Sequence, residues 1–319
     1  MSATMGTAEG MELIRGFHNF RPRHGGCVAT IGAFDGVHRG HQAVLRQLVE
    51  KSREYGLPST VVLFEPLPRE YFAPDSAPPR LMSFREKFEA IRELGIDRVV
   101  RIRFTPALRN MSADEFINTL FVKNLGAKYI VVGDDLRFGR DRSGDFDLLR
   151  KAGARDGFDV MDTATLQYDG ERVSSTRIRE VLAAGDFALA EALLGRPYSI
   201  SGRVIVGQQL GRTIGAPTAN LQLRRLRSPL AGVFAVEVEG VEAQPLPGVA
   251  NVGVRPTVGD LSKAILEVHL LNFNGDLYRR NIRVLFREKL RNEIKFDSID
   301  ALREQIARDI DQARDYFSL

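Results

Sequence analysis

Apolar residues in the first half of the chain follow two alternating periods. Short, β-branched runs typical of buried strands lie at residues 27–31, 60–64, 98–104 and 129–132. Helical spacing of apolar residues appears between them, over residues 42–49 and 84–94 and from Ser112 to Gly126. Repeated strand–helix units predict a parallel sheet, and in such sheets ligands bind beyond the carboxyl ends of the strands.

The second half of the chain has a different pattern. Strand-like segments, punctuated by Gly and Pro, follow a short helical stretch at 187–194 and lie at residues 199–206, 233–238, 265–271 and 282–285. Asn274–Gly275 is typical of a hairpin turn. Several short strands without intervening helices predict a small antiparallel barrel. A final helix should pack on the barrel through an apolar face made of Ile299, Leu302, Ile306, Ile310, Ala313 and Phe317.

The change of period near Gly185 predicts two domains, residues 1–185 and residues 186–319. The second piece holds its own strands and a closing helix. We therefore expect residues 186–319 to fold alone.

Composition restricts the class of protein. An apolar content of 44% and a charged content of 27% are ordinary for a globular protein. The net charge of +4, with scattered basic residues, favours small anionic substrates over nucleic acid. One cysteine excludes a disulfide framework. With no long apolar run and no signal-peptide pattern in residues 1–10, we expect a cytoplasmic protein without a membrane partner, and the oligomeric state stays open.

Residues 30–41, TIGAFDGVHRGH, carry the strongest chemical signal. This segment joins a predicted strand to a predicted helix, so unpaired N–H groups and the positive end of the helix dipole converge on one spot suited to phosphate. The spacing fits neither a P-loop nor G-x-G-x-x-G. Taken alone, His38 and His41 are either metal ligands or solvated side chains. Zinc is disfavoured because no further Cys or His lies at ligand spacing.

Other segments add candidate chemistry. Residues 172–179, RVSSTRIR, predict a helix N-terminus with hydroxyl groups as caps. Residues 207–220, GQQLGRTIGAPTAN, combine close glycines, which let the backbone approach phosphates, with the oxygen donors of Thr218 and Asn220, which suit Mg²⁺. Strand alternation places Glu267 and His269 opposite Leu266 and Val268, as on a solvated face.

Together these segments resemble the bacterial bifunctional riboflavin kinase/FAD synthetase family. Residues 32–41 resemble its H-x-G-H signature in extended form, and residues 172–179 resemble its S-S-T-x-x-R motif. Residues 133–139 match a G-x-[DN]-F-x-F-G block except that Leu136 replaces a usual phenylalanine, and residues 64–72 look like its flavin-side loop. Residues 207–220 resemble the riboflavin kinase block. The resemblance extends from about Met11 over nearly the whole chain.

The resemblance implies a fold and two reactions. The fold is α/β, with a Rossmann-like nucleotidyltransferase domain around a parallel sheet, followed by a small antiparallel β-barrel riboflavin kinase domain with a C-terminal helix. The barrel would phosphorylate riboflavin to FMN with ATP. The first domain would then transfer AMP from a second ATP to FMN, giving FAD and pyrophosphate. Mg²⁺ would assist both steps.

The resemblance also implies roles for individual residues. Catalytic roles fall to His38, His41, Arg179 and Glu267, the last as the base for the riboflavin 5′-hydroxyl. Nucleotide contacts fall to Gly32, Phe34, Asp35, Gly36, Gly40, Asp135, Arg172, Ser174, Ser175, Thr176, Gly207, Gly211, Arg212 and Gly215. Flavin contacts fall to Pro66, Pro68, Phe72 and Phe138. Metal contacts fall to Thr218 and Asn220.

Two alternatives remain for the barrel. In the first it is a regulatory flavin sensor beside an FMN adenylyltransferase, which the intact P-T-A-N segment and Glu267 argue against. In the second it is an RNA-binding module, which would need exposed aromatic residues interleaved with Lys and Arg. A kinase assay distinguishes both from the two-reaction enzyme.

Overall fold

The computed structural model describes residues 10–133, 135–205, 218–223, 225, 227–255 and 263–319. The chain forms two compact units. The first contains the residues up to Ala77 and those from Phe84 to Val173, and the second contains Pro78–Ser83 and Ser174–Leu319.

The first unit is built on a parallel sheet, which confirms the prediction. Its strands are β1 (Glu12–Arg15), β2 (Cys27–Ile31), β3 (Ser59–Phe64), β4 (Arg98–Ile102), β5 (Ala127–Gly133) and β6 (Asp159–Thr163). They lie in the order β1-β4-β3-β2-β5-β6, and all pairings are parallel. The central strands are apolar because helices cover both faces of a parallel sheet. Burial raises the pKa of the Cys27 thiol in β2 to about 11.

Helices connect these strands. They are α1 (Arg39–Tyr55), α2 (Pro68–Phe72), α3 (Phe84–Glu93), α4 (Pro106–Asn110), α5 (Ala113–Phe116), its π-helical continuation (Ile117–Asn124) and α6 (Phe146–Asp156). A capping box starts α5, in which the side chains of Ser112 and Glu115 each accept from the other residue's backbone N–H. Short 3₁₀ turns lie at Phe17–Asn19, Pro22–His24 and Arg140–Arg142.

Strand order places a topological switch point in the middle of the sheet. After β2 the chain adds β3 and β4 on one side, and it then returns to place β5 on the other side of β2. Ligands bind at such a point, beyond the carboxyl ends of the strands. The predicted phosphate turn follows β2, and Asp135 follows β5. A small hairpin of β7 (Gln167–Tyr168) and β8 (Glu171–Arg172) completes the unit.

The second unit is the predicted antiparallel barrel. It contains α7 (Ser175–Ala184), α8 (Phe187–Leu194), β9 (Ser199–Ile205), β10 (Ala219–Gln222), β11 (Gly232–Glu239), β12 (Leu246–Arg255), β13 (Lys263–Leu270), β14 (Asn281–Arg291) and α9 (Ile299–Phe317). The six strands close in the order β10-β13-β12-β11-β14-β9. Closure pairs every strand on both sides, so no edge is left open.

The prediction of a hairpin turn at Asn274–Gly275 is wrong. Strand β13 pairs with β10 and β12, whereas β14 pairs with β11 and β9. Asn274 and Gly275 lie in the connection between β13 and β14, where the Asp276 carboxylate accepts from the Tyr278 N–H. An Asx turn of this kind uses the same residue types as a tight hairpin.

Helix α9 packs on the barrel, but one member of its predicted apolar face is exposed. Ala313 is fully buried and Ile310 and Phe317 pack on the same cluster, whereas Ile299 is 68% exposed. In addition to these apolar contacts, α9 is held by Asp309, which is 2% exposed and accepts two hydrogen bonds from Arg291 of β14, at 2.8 and 2.7 Å. A bidentate arginine–carboxylate pair can be buried because both charges are satisfied.

A segment from the first half of the sequence belongs to the barrel unit. Within Pro78–Ser83, Leu81 is fully buried, and its carbonyl accepts from the Tyr198 hydroxyl at 3.1 Å and from the guanidinium of Arg225 at 3.2 Å. Helix α7 also belongs to this unit. A piece limited to residues 186–319 therefore lacks two packed elements, and its independent folding stays a prediction.

In the part of the chain that the structure describes, no helix is both long enough and apolar enough to cross a membrane.

Candidate functional site

The turn after β2 has an unusual backbone. Phe34, Gly36 and Val37 all have positive φ angles, of 47°, 86° and 40°. A β-branched residue such as Val37 rarely adopts this region, so the turn stores strain of the kind found at functional sites. A methyl group at Gly32 would lie 2.9 Å from the Phe34 ring, so that ring would have to shift to accommodate any larger residue.

His38 starts helix α1 and its protonation state follows from that role. Its Nδ1 accepts a hydrogen bond from the backbone N–H of His41 at 3.3 Å, as the N-cap of the helix. A nitrogen that accepts carries no proton, so His38 is the neutral tautomer with its proton on Nε2. His38 is 5% exposed, and it holds the first turn of α1 against the phosphate turn.

The two histidines form one unit. Their rings stack with centroids 3.6 Å apart, and Phe34 covers His41 with a centroid distance of 5.1 Å. Burial, followed by the electrostatic effect of the adjacent His38 ring and the positive charges of Lys87 and Arg172, lowers the pKa of His41 well below its usual value. Its Nδ1 is buried and has no hydrogen-bond partner within the described ranges. His41 is therefore a neutral imidazole at neutral pH.

Residues at the ends of β5 and β8 lie near the same turn. Asp135 and Arg172 form an ion pair at 2.8 Å, with both side chains substantially exposed. A methyl group on Gly40 would lie 3.6 Å from the carbonyl oxygen of Val173, which follows Arg172. The structure thus brings Asp135 and Arg172 to the edge of the sheet that carries His41, as predicted ligands of one nucleotide would require.

The hydroxyl motif begins helix α7 of the second unit. Ser174 is the N-cap, and its hydroxyl oxygen accepts from the Arg177 N–H at 3.2 Å, while Ser175 is half-buried and Thr176 is exposed. Arg179 lies on the next turn, and its Nε donates to the Pro79 carbonyl at 2.6 Å. Ser174–Thr176 therefore sit at a helix N-terminus, the position that favours anions.

The predicted flavin loop contributes an aromatic surface. Phe72, at the end of α2, is 54% exposed, and its ring packs edge-on against Phe104 at 5.5 Å. The guanidinium of Arg109 lies 5.2 Å from the same ring. Pro66 and Pro68 are half-buried in the turn that leads into α2. An exposed aromatic ring supported from behind is suited to stacking on a planar ligand.

Phe138 lies deeper than Phe72. It is 7% exposed, because its ring packs on Phe116 at 5.5 Å and against the backbone of Gly144. Leu136, which replaces the usual aromatic residue, packs against the same core. Phe138 therefore supports the aromatic cluster, and its ring offers little free surface.

The predicted kinase residues meet on the outer face of the barrel. Asn220 of β10 and Asn251 of β12 each lie directly opposite Glu267 of β13, one on either side. All three are half-buried, whereas Leu266 and Val268 point into the barrel core. Directly opposite residues on neighbouring strands share a face, with Cβ atoms about 5 Å apart. Glu267 and Asn220 are thus neighbours, and Thr218, two residues before Asn220, is half-buried.

Four predicted nucleotide residues of this block, Gly207, Gly211, Arg212 and Gly215, lie outside the described residues. Among the residues that are described, no cluster of three or more His, Cys, Asp or Glu side chains could hold a metal by itself. Mg²⁺ accepts one or two protein oxygens and takes the rest from water and phosphates. The oxygen donors of Thr218 and Asn220 beside Glu267 fit that requirement.

Sequence reasoning assigned no role to two residues at these sites. Lys87 lies in α3, where it reads as a solvated helix position, yet its side chain is 1% exposed and donates to Ala33. Asn251 lies in β12, a strand that was not predicted because its sequence contains Gly, Pro and Asn. The sequence feature that could have indicated the burial of Lys87 is its position, as a polar residue, on an otherwise apolar helical face.

Comparison with known proteins covers both units. Residues 20–177 match the family model described as FAD synthetase, and residues 194–317 match the one described as riboflavin kinase. The predicted boundary after Gly185 falls between these ranges and stays a prediction.

Individual relatives match over almost their whole length. A Pseudomonas fluorescens protein named bifunctional riboflavin kinase/FMN adenylyltransferase is 55% identical over 95% of this chain and 97% of its own. An Escherichia coli protein of the same name is 54% identical over 97% of this chain and 99% of its own. A solved structure named macrolide-efflux protein, from Streptococcus pneumoniae, has a TM-score of 0.77 at 30% identity, covering 95% of this chain and 99% of that one.

The parallel sheet and the closed barrel correspond to the two matched family models. The relatives at 54–55% identity carry both names in one chain. This chain therefore belongs to the family of bifunctional riboflavin kinases/FMN adenylyltransferases.

Proposed function

We propose that the barrel phosphorylates riboflavin with ATP, and that the sheet unit, with the motif at the start of α7, transfers AMP from a second ATP to the FMN formed. Family membership supports both reactions. The observation that carries the adenylyl transfer is the neutral, stacked His38–His41 pair at the switch point of the sheet. We also propose that both reactions take place in the cytoplasm, because that compartment supplies ATP and a free thiol such as Cys27 is compatible with its reducing environment.

Adenylyl transfer needs alignment and charge stabilisation, without a covalent enzyme intermediate. A phosphate oxygen of FMN attacks the α-phosphorus of ATP, and the bond to the bridging oxygen of the β-phosphate breaks to release pyrophosphate. His38 and His41 donate hydrogen bonds to the α-phosphate oxygens as neutral imidazoles, where negative charge grows in the transition state. Gly32, Phe34, Asp35, Gly36 and Gly40 shape the turn that receives the nucleotide.

The remaining nucleotide contacts come from two more segments. The hydroxyl and N–H groups of Ser174, Ser175 and Thr176 bind the β- and γ-phosphates, and Arg179 contacts the charge that develops on the leaving pyrophosphate. Asp135 and Arg172, joined by their ion pair, bind the ribose or adenine side.

FMN is oriented by the aromatic surface. Its isoalloxazine ring stacks on Phe72, between Pro66 and Pro68 of the adjoining turn, while Phe138 supports the cluster from the core. Arg109 beside Phe72 adds a positive charge suited to an anionic flavin phosphate.

The kinase reaction uses the outer face of the barrel. Glu267 takes the proton from the riboflavin 5′-hydroxyl as that oxygen attacks the γ-phosphorus, and ADP leaves. Thr218 and Asn220 would hold Mg²⁺, which when bound neutralises phosphate charge and orients ATP. Gly207, Gly211, Arg212 and Gly215 supply the phosphate loop of this site. Asn220 and Asn251 lie directly opposite Glu267 on the neighbouring strands, which supports a shared site on this face.

Two variants of one protein test this assignment against each other. His41→Ala should lower FAD formation from FMN at least about 100-fold and leave FMN formation from riboflavin intact, because the two sites share no residue. Glu267→Gln should abolish kinase turnover, leave ATP binding by calorimetry nearly unchanged and leave FAD formation from supplied FMN intact. Each variant is the folding control for the other. Substantial adenylation by His41→Ala, or kinase turnover by Glu267→Gln, would contradict the assigned role.

A further inference from the structure

Lys87 is the one lysine among the largest fully buried side chains of the described structure. It lies on α3, and its side chain is 1% exposed. An ammonium group taken out of water costs free energy unless partners satisfy it. The same helix carries Arg85, an exposed basic residue paired with Glu89, so α3 has a solvent-facing cation as well as a buried one.

One hydrogen-bond partner of Lys87 lies in the phosphate turn. The Nζ of Lys87 donates to the carbonyl oxygen of Ala33 at 2.6 Å, a short, charge-assisted hydrogen bond. Ala33 follows Gly32 and precedes Phe34, the first of the residues with positive φ. A fixed carbonyl at this position therefore restrains the strained part of the turn, including the Phe34 ring that covers His41.

The charge of Lys87 also acts on the histidine pair. His41 lies beside the neutral His38 ring at the start of α1 and faces two cations, Lys87 on α3 and Arg172 on β8, and each of these two charges disfavours a proton on His41. Removal of one of these charges makes protonation of His41 easier. Protonation would replace a neutral donor with a cation stacked 3.6 Å from a second imidazole.

We propose that Lys87 is a positioning residue for adenylyl transfer, which holds the phosphate turn through the Ala33 carbonyl and adds a buried positive charge to the site that receives the triphosphate of ATP. This inference rests on the proposed function. It assigns Lys87 to the adenylyl reaction alone and gives it no part in the kinase reaction.

The test compares Lys87→Met, Lys87→Arg and Arg85→Met in the full chain, with FMN and MgATP as substrates and pH as the variable. We expect Lys87→Met to lower kcat/KM for FAD formation at least about tenfold at neutral pH, because a charged hydrogen bond is lost. We also expect the acid limb of its pH–rate profile for FAD formation to move to higher pH, because His41 takes a proton more readily. Lys87→Arg keeps the charge and should keep the acid limb of the wild type. Arg85→Met removes an exposed charge from the same helix and should match the wild type.

Conversion of riboflavin to FMN by the same proteins reports whether they are folded. A wild-type protein that makes no FAD would overturn the proposed function, independently of Lys87. An unchanged acid limb in Lys87→Met, or a loss by one common factor at all pH values, would mean a purely structural lysine and would overturn the inference. If Lys87→Met loses the kinase reaction too, Lys87→Arg decides: a retained acid limb supports the inference, and a shifted one overturns it.

Discussion

Gly40 shows how much the phosphate turn depends on the absence of a side chain. It separates the two histidines in the sequence, and a methyl group there would lie 3.2 Å from two atoms of the His38 ring. That separation is tighter than ordinary van der Waals contact, so the ring would have to move. The distance between the stacked rings of His38 and His41 therefore depends on Gly40 as well as on the two histidines.

We expect Gly40→Ala to lower FAD formation at least about tenfold, because small misplacements of groups that contact the reacting phosphate cost large factors in rate. FMN formation should be unchanged. Gly10→Ala is a matched control, since no heavy atom lies within 4 Å of its added methyl group. Equal rates of FAD formation in Gly40→Ala and the wild type, measured with FMN and MgATP, would show that the spacing of the stack is unimportant.

The residues that form this turn could be predicted from the sequence, whereas their protonation and backbone conformation could not. The order of glycines and histidines predicted a phosphate turn, and the structure places it at the carboxyl end of β2. The neutral state of His41 could not be predicted, because it depends on burial in the folded site and on the charges of Lys87 and Arg172, which are distant in sequence. The positive φ of Val37 was equally hidden, since β-branched residues disfavour it.

At the scale of elements, the strands that could be predicted from the sequence were the buried ones. Strands β2 and β3 are buried along most of their length and were visible as apolar runs. Strand β6 is largely half-exposed at the edge of the sheet, and its sequence DVMDT shows no clear period. Strand β12 contains Pro247, Gly248 and Gly253, residues that usually mark turns, so its place in the barrel could not be inferred from local sequence.

Helix α9 illustrates a contact that an apolar pattern cannot show. Its predicted face included Ile299, which is exposed, and omitted Asp309, which is buried. The carboxylate of Asp309 accepts hydrogen bonds from Arg291 of β14 and from the side-chain amide of Gln305 on its own helix. Hydrophobic periodicity treats a charged residue as solvent-facing, so the buried ion pair was missed.

We expect Asp309→Ala to lower the free energy of unfolding by about 3 kcal/mol, because the largely covered Arg291 guanidinium loses its carboxylate partner and keeps the Asn292 carbonyl. Chemical denaturation of the full chain, followed through kinase activity and circular dichroism, measures the change. Asp311→Ala, at an exposed position of the same helix, should change it by less than about 0.5 kcal/mol. A loss in Asp309→Ala no larger than that of the control would show that the ion pair does not anchor α9.

At the scale of the whole molecule, the barrel unit is more than the second half of the sequence. Pro78–Ser83 and α7 belong to it, and Leu81 within the former is fully buried. The change of hydrophobic period identified the two architectures, because strands and helices differ in period. It could not identify a short segment that leaves one unit to pack in the other.

A fragment of residues 186–319 should therefore be less stable than the barrel in the full chain. Loss of Leu81 removes about 2 kcal/mol of apolar burial. Loss of its carbonyl and that of Arg80 leaves the buried Arg225 with fewer acceptors, which costs about 1–3 kcal/mol. We expect a lower denaturant midpoint for kinase activity in the fragment, and Leu81→Ala in the full chain should reproduce part of the shift. Equal midpoints for fragment and full chain would mean that these contacts contribute nothing.

The central claim is that one chain carries out both reactions in sequence. The most direct measurement incubates the purified full chain with riboflavin and MgATP and separates the flavins by chromatography over time. We predict that FMN appears first and FAD follows, with ADP released in the first step and pyrophosphate in the second. The absence of both flavin products would contradict the account, and FMN that is never converted to FAD would contradict the role assigned to the His38–His41 turn.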